Sequence, residues 1–516
     1  MDNLFQNFYL SYLLVGVLKS LRYISILQKN WYRFDKLKDF LIYQKGLFQI
    51  TSLPNILAAA VLAYCIYALP HMLQYAVWFA LVAEVITFIT SKSRKPRVTI
   101  KTMLLFVLSL GAYALFPIQM VSSEFFAYAI LGFWLFTFFL NAIVFAPISK
   151  LLSEILFVFA KIKIANSPGL TVVGITGSYG KSSTKEFIYE LIKDDFKTLK
   201  TPRNINTEIG IAKLILTKLK KHHQVLVLEM GAMSKGEIKK MCQIAPPKVA
   251  ILTAVDSQHL SLFGSLENLA MAKSEILLHM HPDAKAFVNL DSPGSKKALK
   301  YVFSKSPLDM RIETYGQDPK SRHLLTDVTM KSNKVRFHLD KKSYHSELYG
   351  VQFAHNLSAA ILAAQAIGLK PDALKSQLAK IDNSLIETQL LKHSKGFYIL
   401  NDSYNSNQVG FMAALTNLEQ TDSVKNKYLL TSGMFELGAK SGYYHRKVFK
   451  QAAKTCDVIV LTKPHLKKYL PANFKKYKIA KTPKEIISYL DLNLKKDDIL
   501  LIEGRTFQAV KDKFIQ

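Results

Sequence analysis

Val173-Gly-Ile-Thr-Gly-Ser-Tyr-Gly-Lys-Ser-Ser-Thr184 leads from an apolar stretch, through a glycine-spaced turn, to a lysine and three hydroxyl residues. The run from Leu170 to Ile175 predicts a buried strand, and Lys181 opens a helix. A phosphate chain needs that arrangement. Gly177 and Gly180 let backbone approach an anion closely, amide N–H groups and a helix N-terminus face it, and Lys181 supplies a mobile positive charge. Ser182 would place a hydroxyl on Mg²⁺. Gly177, Ser178, Gly180, Lys181, Ser182 and Ser183 are therefore the candidate nucleotide-binding residues. The match to the general P-loop pattern is one residue short, since Ile175 stands where its first glycine belongs. A tight strand–helix turn without ligand is the alternative.

The chain has 516 residues and a formal net charge of +30. That length predicts about three domains. The charge fits either a lysine-rich solvated surface or an anionic partner, a lipid headgroup or a nucleotide. No basic run is interleaved with aromatics in a nucleic-acid module. Cys65, Cys242 and Cys456 are far apart and form no CxxC pair, which argues against a zinc ribbon or a disulfide framework.

Four apolar runs, 53–69, 72–90, 102–121 and 125–148, are each close to the ~20 residues that span a bilayer. The loop from Ser91 to Lys101 carries five positive charges and no negative one. The positive-inside rule puts that loop, and both termini, in the cytoplasm. Residues 8–27 are apolar but interrupted by Lys19 and Arg22, as in an interfacial helix. Glu84 lies within the second run, near its basic end. Residues 1–165 thus form a membrane domain at the inner membrane by this reading.

Beyond Ser167, strand-like runs at Val225–Met230, Lys248–Val255, Ala286–Leu290, Gly396–Asn401, Tyr428–Thr431, Val458–Leu461 and Ile499–Glu503 alternate with helical runs such as Ser265–His279, Asn356–Ile367 and Val409–Leu418. Such alternation predicts an α/β fold with parallel sheets covered on both faces. Asp327–Tyr349 alternates polar and apolar residues, as antiparallel hairpins do.

Seven motifs in order resemble the Mur ligase family, most closely its D-alanyl-D-alanine-adding branch. They are the phosphate loop, Asn204-Ile-Asn-Thr-Glu-Ile-Gly210, Glu229-Met-Gly-Ala-Met-Ser-Lys-Gly-Glu-Ile238, His259-Leu-Ser-Leu-Phe-Gly-Ser265 with Ala272-Lys-Ser-Glu-Ile276, His355-Asn356, Asn401-Asp-Ser-Tyr-Asn-Ser-Asn407, and Gly433-Met-Phe-Glu-Leu-Gly438 with His445. The resemblance implies a central ATP-binding domain over 166–384 and a C-terminal Rossmann-like domain over 385–516. It implies an ATP- and Mg²⁺-dependent amide ligase whose acceptor carboxylate becomes an acyl phosphate that an amine then attacks. Lys181, Glu229, His259 and Lys273 would be catalytic. Ser182, Glu229, His259 and a carbamylated Lys273 would hold metal. Asn356 and Asp402 would contact the nucleotide, while Asn206, Tyr404 and Asn405 would face substrate. An unmodified Lys273 on a helix surface remains the alternative.

The partners implied are an amino acid or dipeptide and a cell-wall precursor, UDP- or lipid-linked. The family's UDP-binding N-terminal domain is replaced by the apolar region. Other departures are Ala254 and Ala359 in place of asparagines, Glu387-Thr-Gln389 where an arginine is usual, Asn401 for an aspartate, Gln408 for a proline, and Glu503-Gly-Arg505 for Lys-Gly-Ser. A polyglutamate-type ligase and a non-catalytic ATP-binding membrane scaffold are the competing functions.

Overall fold

The computed structural model describes residues 149–202, 205–256, 263–306, 311–331, 334–386, 389–403, 408–421, 424–434 and 441–515, with isolated positions earlier in the chain. Contacts divide the chain into two units, residues 1–155 and residues 156–516. The four apolar runs, the 8–27 segment, Glu84 and the basic loop fall largely or wholly outside the described residues. Among the described residues no helix is long and apolar enough to cross a membrane.

The second unit holds two sheets. The first has nine strands in the order β2-β3-β1-β4-β5-β6-β7-β8-β9. Here β1 is Thr171–Thr176, β2 Thr198–Lys200, β3 Val225–Glu229, β4 Val249–Leu252, β5 Lys285–Asn289, β6 Ile312–Gly316, β7 His323–Lys331, β8 Lys334–Leu339 and β9 Lys342–Ser346. Pairing is parallel through β7, and β7, β8 and β9 continue as the expected antiparallel hairpins. Side chains alternate between two cores. Val173, Ile175, Val227 and Ile251 enter one, while Val172, Leu226, Leu228 and Ala250 enter the other. A strand buried on both faces needs the near-continuous apolar run that marked these segments in the sequence.

Three helices shape the site. Helix α1 (Lys181–Ile192) follows β1, α2 (Leu266–Leu278) packs on the second of those cores, and α3 (Phe353–Ile367) packs beside α1 on the first. Ser265 caps α2 by accepting from the Asn268 N–H at 3.1 Å, the usual role of a serine before a helix. The α3 helix starts at Phe353, three residues ahead of the predicted Asn356, because Phe353, Ala354 and Leu357 all enter the core.

The second sheet has six strands in the order β10-β11-β15-β12-β13-β14. They are β10 Gln389–Lys392, β11 Tyr398–Asp402, β12 Lys427–Thr431, β13 Val458–Leu461, β14 Tyr477–Ile479 and β15 Ile499–Glu503. Only β10 is antiparallel. Helix α4 (Gln408–Glu419) connects β11 to β12. The short strands β2, β6, β10 and β14 have no counterpart among the sequence predictions. All but β6 end a sheet, and β6 is buried only at Tyr315 and Gly316, so these strands lack the continuous apolar signal of central strands.

Candidate functional site

Strand β1 lies between β3 and β4, so its C-terminal end opens in the middle of the first sheet, where open α/β sheets collect ligands. The loop that follows is held tightly. Ser178 N–H donates to the Ala254 carbonyl at 2.6 Å, and the Thr253 hydroxyl donates to the Tyr179 carbonyl at 2.5 Å. Gly177 has φ +147°, and a Cβ there would lie 1.9 Å from Thr253 Oγ1. Gly180 has φ +77°, and a Cβ would lie 2.3 Å from Asn356 Oδ1. Both glycines are required, one by each neighbour. Position 254 acts through its backbone carbonyl, so alanine there still serves the loop.

Lys181, first residue of α1, curls back to donate from Nζ to the Gly177 carbonyl at 2.8 Å and the Ser178 carbonyl at 3.2 Å. Burial lowers its pKa, and the charge of Glu229 opposes that shift. Ser183 lies in the same first helical turn.

Glu229, last residue of β3 and 4% exposed, is the hub. Its Oε2 accepts from Ser182 Oγ at 2.9 Å and from Lys185 Nζ at 3.4 Å, and its Oε1 accepts from Asn206 Nδ2 at 3.2 Å. Its own N–H donates to Thr201 Oγ1 at 3.0 Å. A carboxylate with this many donors is fixed in direction. Lys185 is fully buried and also lies 3.4 Å from Glu186. Sequence reasoning missed Lys185. The available signal was its spacing, one helical turn after Lys181, which puts both lysines on one side of α1.

Lys273 is buried on α2. Burial, then repulsion from Lys181, brings its pKa down to about 7, against the pull of Glu237, Glu275 and Glu229. His355, next to Asn356 on α3, meets Asp291 at 2.7 Å. Burial of Asp291 works against its charge, but the hydrogen bonds from His355, Gln317 and Asp318 prevail and hold its carboxyl below the ordinary value. Asp291 was not foreseen from sequence.

Thus Ser182 and Asn206 meet Glu229 directly, Asn356 faces Gly180, and Lys181 and Lys273 are within electrostatic reach of Glu229. Asp402 is elsewhere, at the C-terminal end of β11 in the second sheet, in register with Glu503 of β15. His259, Tyr404 and Asn405 lie outside the described residues.

The glycine cradle beside a lysine suits a polyphosphate, and the 2.9 Å hydroxyl–carboxylate pair suits one hard cation. Among the described residues no three His, Cys, Asp or Glu side chains cluster as a metal set. A magnesium ion takes one or two protein oxygens and fills the rest of its shell with phosphate and water.

Comparison with known proteins agrees. Residues 175–364 match the Mur ligase middle domain, and residues 388–506 match the Mur ligase glutamate ligase domain. The chain belongs to the Mur ligase family. Its relatives include proteins named UDP-N-acetylmuramoyl-tripeptide–D-alanyl-D-alanine ligase. The one from Bacillus subtilis is 28% identical over 281 residues, 54% of this chain and 59% of the relative. The one from Synechocystis is 30% identical over 279 residues, covering 54% and 58%. This Mur ligase therefore matches about three fifths of those relatives' length.

Among solved structures, MurF ligase from Thermotoga maritima in complex with ADP is 27% identical with a TM-score of 0.60, covering 70% of this chain and 82% of that one. MurF from Acinetobacter baumannii (22% identity, TM-score 0.61, 70% and 79% covered) and folylpolyglutamate synthase from Mycobacterium tuberculosis (13%, 0.52, 71% and 97%) share the fold.

Proposed function

We propose that this Mur ligase is an ATP- and Mg²⁺-dependent amide ligase. It joins an amino acid or dipeptide, such as D-Ala-D-Ala, to the carboxylate of a cell-wall precursor. The observation that carries this reading is the Lys181–Ser182–Glu229–Asn206 cluster at the end of β1 and β3. Lys181 is the cation for the β- and γ-phosphate oxygens. Ser182 and Glu229 would hold Mg²⁺, and a bound ion would supply charge neutralisation to the phosphoryl group. Asn206 and Lys185 keep the Glu229 carboxylate aimed.

The reaction runs in two displacements. An oxygen of the acceptor carboxylate bonds to the γ-phosphorus as the bond to the ADP oxygen breaks. The amine nitrogen then bonds to the acyl carbon, phosphate leaves, and the amine gives up a proton. Lys273, with a pKa near 7, holds much of its amine neutral at physiological pH. A neutral amine can add CO₂ and release a proton, giving an anionic oxygen ligand in place of a cation. His259 would be a further metal ligand, Asp402 a nucleotide contact, and Tyr404 and Asn405 acceptor-side contacts.

The apolar runs between residues 53 and 148 support anchoring at the inner face of the cytoplasmic membrane, with a lipid-linked acceptor. Mg-ATP-dependent phosphate release by the full chain in nanodiscs tests the whole reading. D-Ala-D-Ala is offered with either a UDP-linked or a lipid-linked muramyl peptide, and Lys181→Ala is the control. Release that needs both substrates and Lys181 is the expected result. Lack of ATP binding would overturn the ligase, and a preference for the UDP-linked precursor would overturn the lipid-linked acceptor alone.

A further inference from the structure

Residues 349–356 cross from one core to the other through a short turn and the first turn of α3. Tyr349, 1% exposed, lies in the core beneath the second sheet with Leu400, Phe411 and Leu418, although it follows β9 of the first. Phe353, Ala354 and Leu357 already belong to the first sheet's core. Asn356 then meets Gly180 of the phosphate loop, and His355 meets Asp291.

Helix α4 of the second sheet grips the start of this segment through one residue. Asn417 is fully buried. Its Oδ1 accepts from the Val351 N–H at 3.1 Å, and its Nδ2 donates to Gln352 Oε1 at 2.8 Å. Its backbone carbonyl accepts from Tyr349 Oη at 3.1 Å and from Thr421 Oγ1 at 2.8 Å. The Tyr349 and Thr421 hydroxyls also lie 2.5 Å apart, so their two protons are shared among these three contacts. Gly350, at φ +132°, allows the turn, and the Gln352 side chain lies where a Cβ would be. A buried asparagine without partners would be strongly unfavourable, so a network satisfied at both ends of the amide defines one arrangement of the two elements.

We propose that Asn417 and Tyr349 are positioning residues that set nucleotide affinity from the second sheet. They fix the chain entering α3 and thereby hold Asn356 against Gly180. The proposal rests on the nucleotide reading of the phosphate loop. Linkage makes it reciprocal. If the latch aids nucleotide binding, nucleotide must tighten the latch by the same factor.

The test uses the full chain, with Mg-ADP as probe in titration calorimetry and hydrogen exchange as the second readout. Asn417→Ala should weaken Mg-ADP by about tenfold, the equivalent of one lost hydrogen-bonded contact. It should also speed amide exchange over residues 353–358 in the ligand-free protein. Leu490→Ala is the control. It opens a cavity in the core on the other face of the second sheet, and should leave both readouts unchanged below its melting point. Tyr349→Phe removes one hydroxyl and should give a smaller loss of the same kind. Wild-type affinity and exchange in Asn417→Ala would overturn the proposal, as would equal losses in Asn417→Ala and Leu490→Ala. Should the wild type bind no Mg-ADP, the nucleotide reading falls, and exchange over 353–358 alone decides whether Asn417 positions α3.

Discussion

The two parallel sheets end in opposite chemistry. Where β1 and β3 of the first sheet stop, three lysines, Lys181, Lys185 and Lys273, lie within contact or electrostatic reach of the buried Glu229 carboxylate. Where β11 and β15 of the second stop, two acids, Asp402 and Glu503, stand in register. Hydroxyls line the neighbouring strand ends, with Ser432 bonded to Thr462 at 2.7 Å and to the Arg505 carbonyl at 2.7 Å. The first end carries the glycine loop and lysines that suit phosphate, whereas the second carries paired acids. In the ligase proposed above, a fold repeated with the same strand ends would divide the reaction, with phosphoryl chemistry on one sheet and positioning of a partner group on the other.

The sharpest way to break that division is Lys181→Ala. Removing a preorganised charge from a developing phosphoryl anion should lower phosphate release by about 10²–10³-fold. Asp402→Asn should lower it far less, and equal losses in a coupled phosphate assay would end the distinction. Glu229→Gln sharpens it by a second measure. It leaves the Lys185 ammonium, fully buried, with Glu186 as its remaining carboxylate. Breaking a buried pair costs about 3–5 kcal/mol, so unfolding in urea should begin at lower concentration than for wild type. The part-exposed Asp402 should show little such effect when replaced by asparagine. An unshifted midpoint for Glu229→Gln would mean that the carboxylate is not what keeps Lys185 buried.

The same contrast governs what the sequence disclosed. Central strands such as Val225–Glu229 and Ile499–Glu503 are apolar throughout because both faces are buried, and they were legible to within a residue or two. The phosphate loop was legible because its glycines answer to local sterics. Two other kinds of residue were silent. Lys185, apart from its one-turn spacing from Lys181, resembles any helix lysine until β3 places Glu229 in front of it. Asn417 resembles any helix asparagine until Tyr349 arrives from a different sheet, 68 positions away. Partners set by tertiary packing leave no period in the chain. The substitutions at 254 and 359 point the same way. Ala254 serves through its carbonyl, and Ala359 is fully buried in the first sheet's core, so neither change touches the charged cluster.

A further predicted effect concerns the charge state of that cluster. Lys273 has a pKa of about 7 in the folded protein against an ordinary 10.5. Below about pH 7 the ammonium is charged in both folded and unfolded chains, and its burial penalty is felt in full. Between about 7 and 10.5 the folded chain holds fewer protons than the unfolded one, so stability rises with pH. Above 10.5 the difference is constant. In buffer free of metal, nucleotide and CO₂, the wild type should therefore gain stability relative to Lys273→Met as pH is raised from 7 toward 10, measured as the difference in urea midpoint. No comparable slope should separate wild type from Asp402→Asn over the same range, because a carboxylate titrates well below it. Parallel pH profiles for wild type and Lys273→Met would show that the amine is not held near neutrality, and would remove the condition that makes CO₂ addition favourable there.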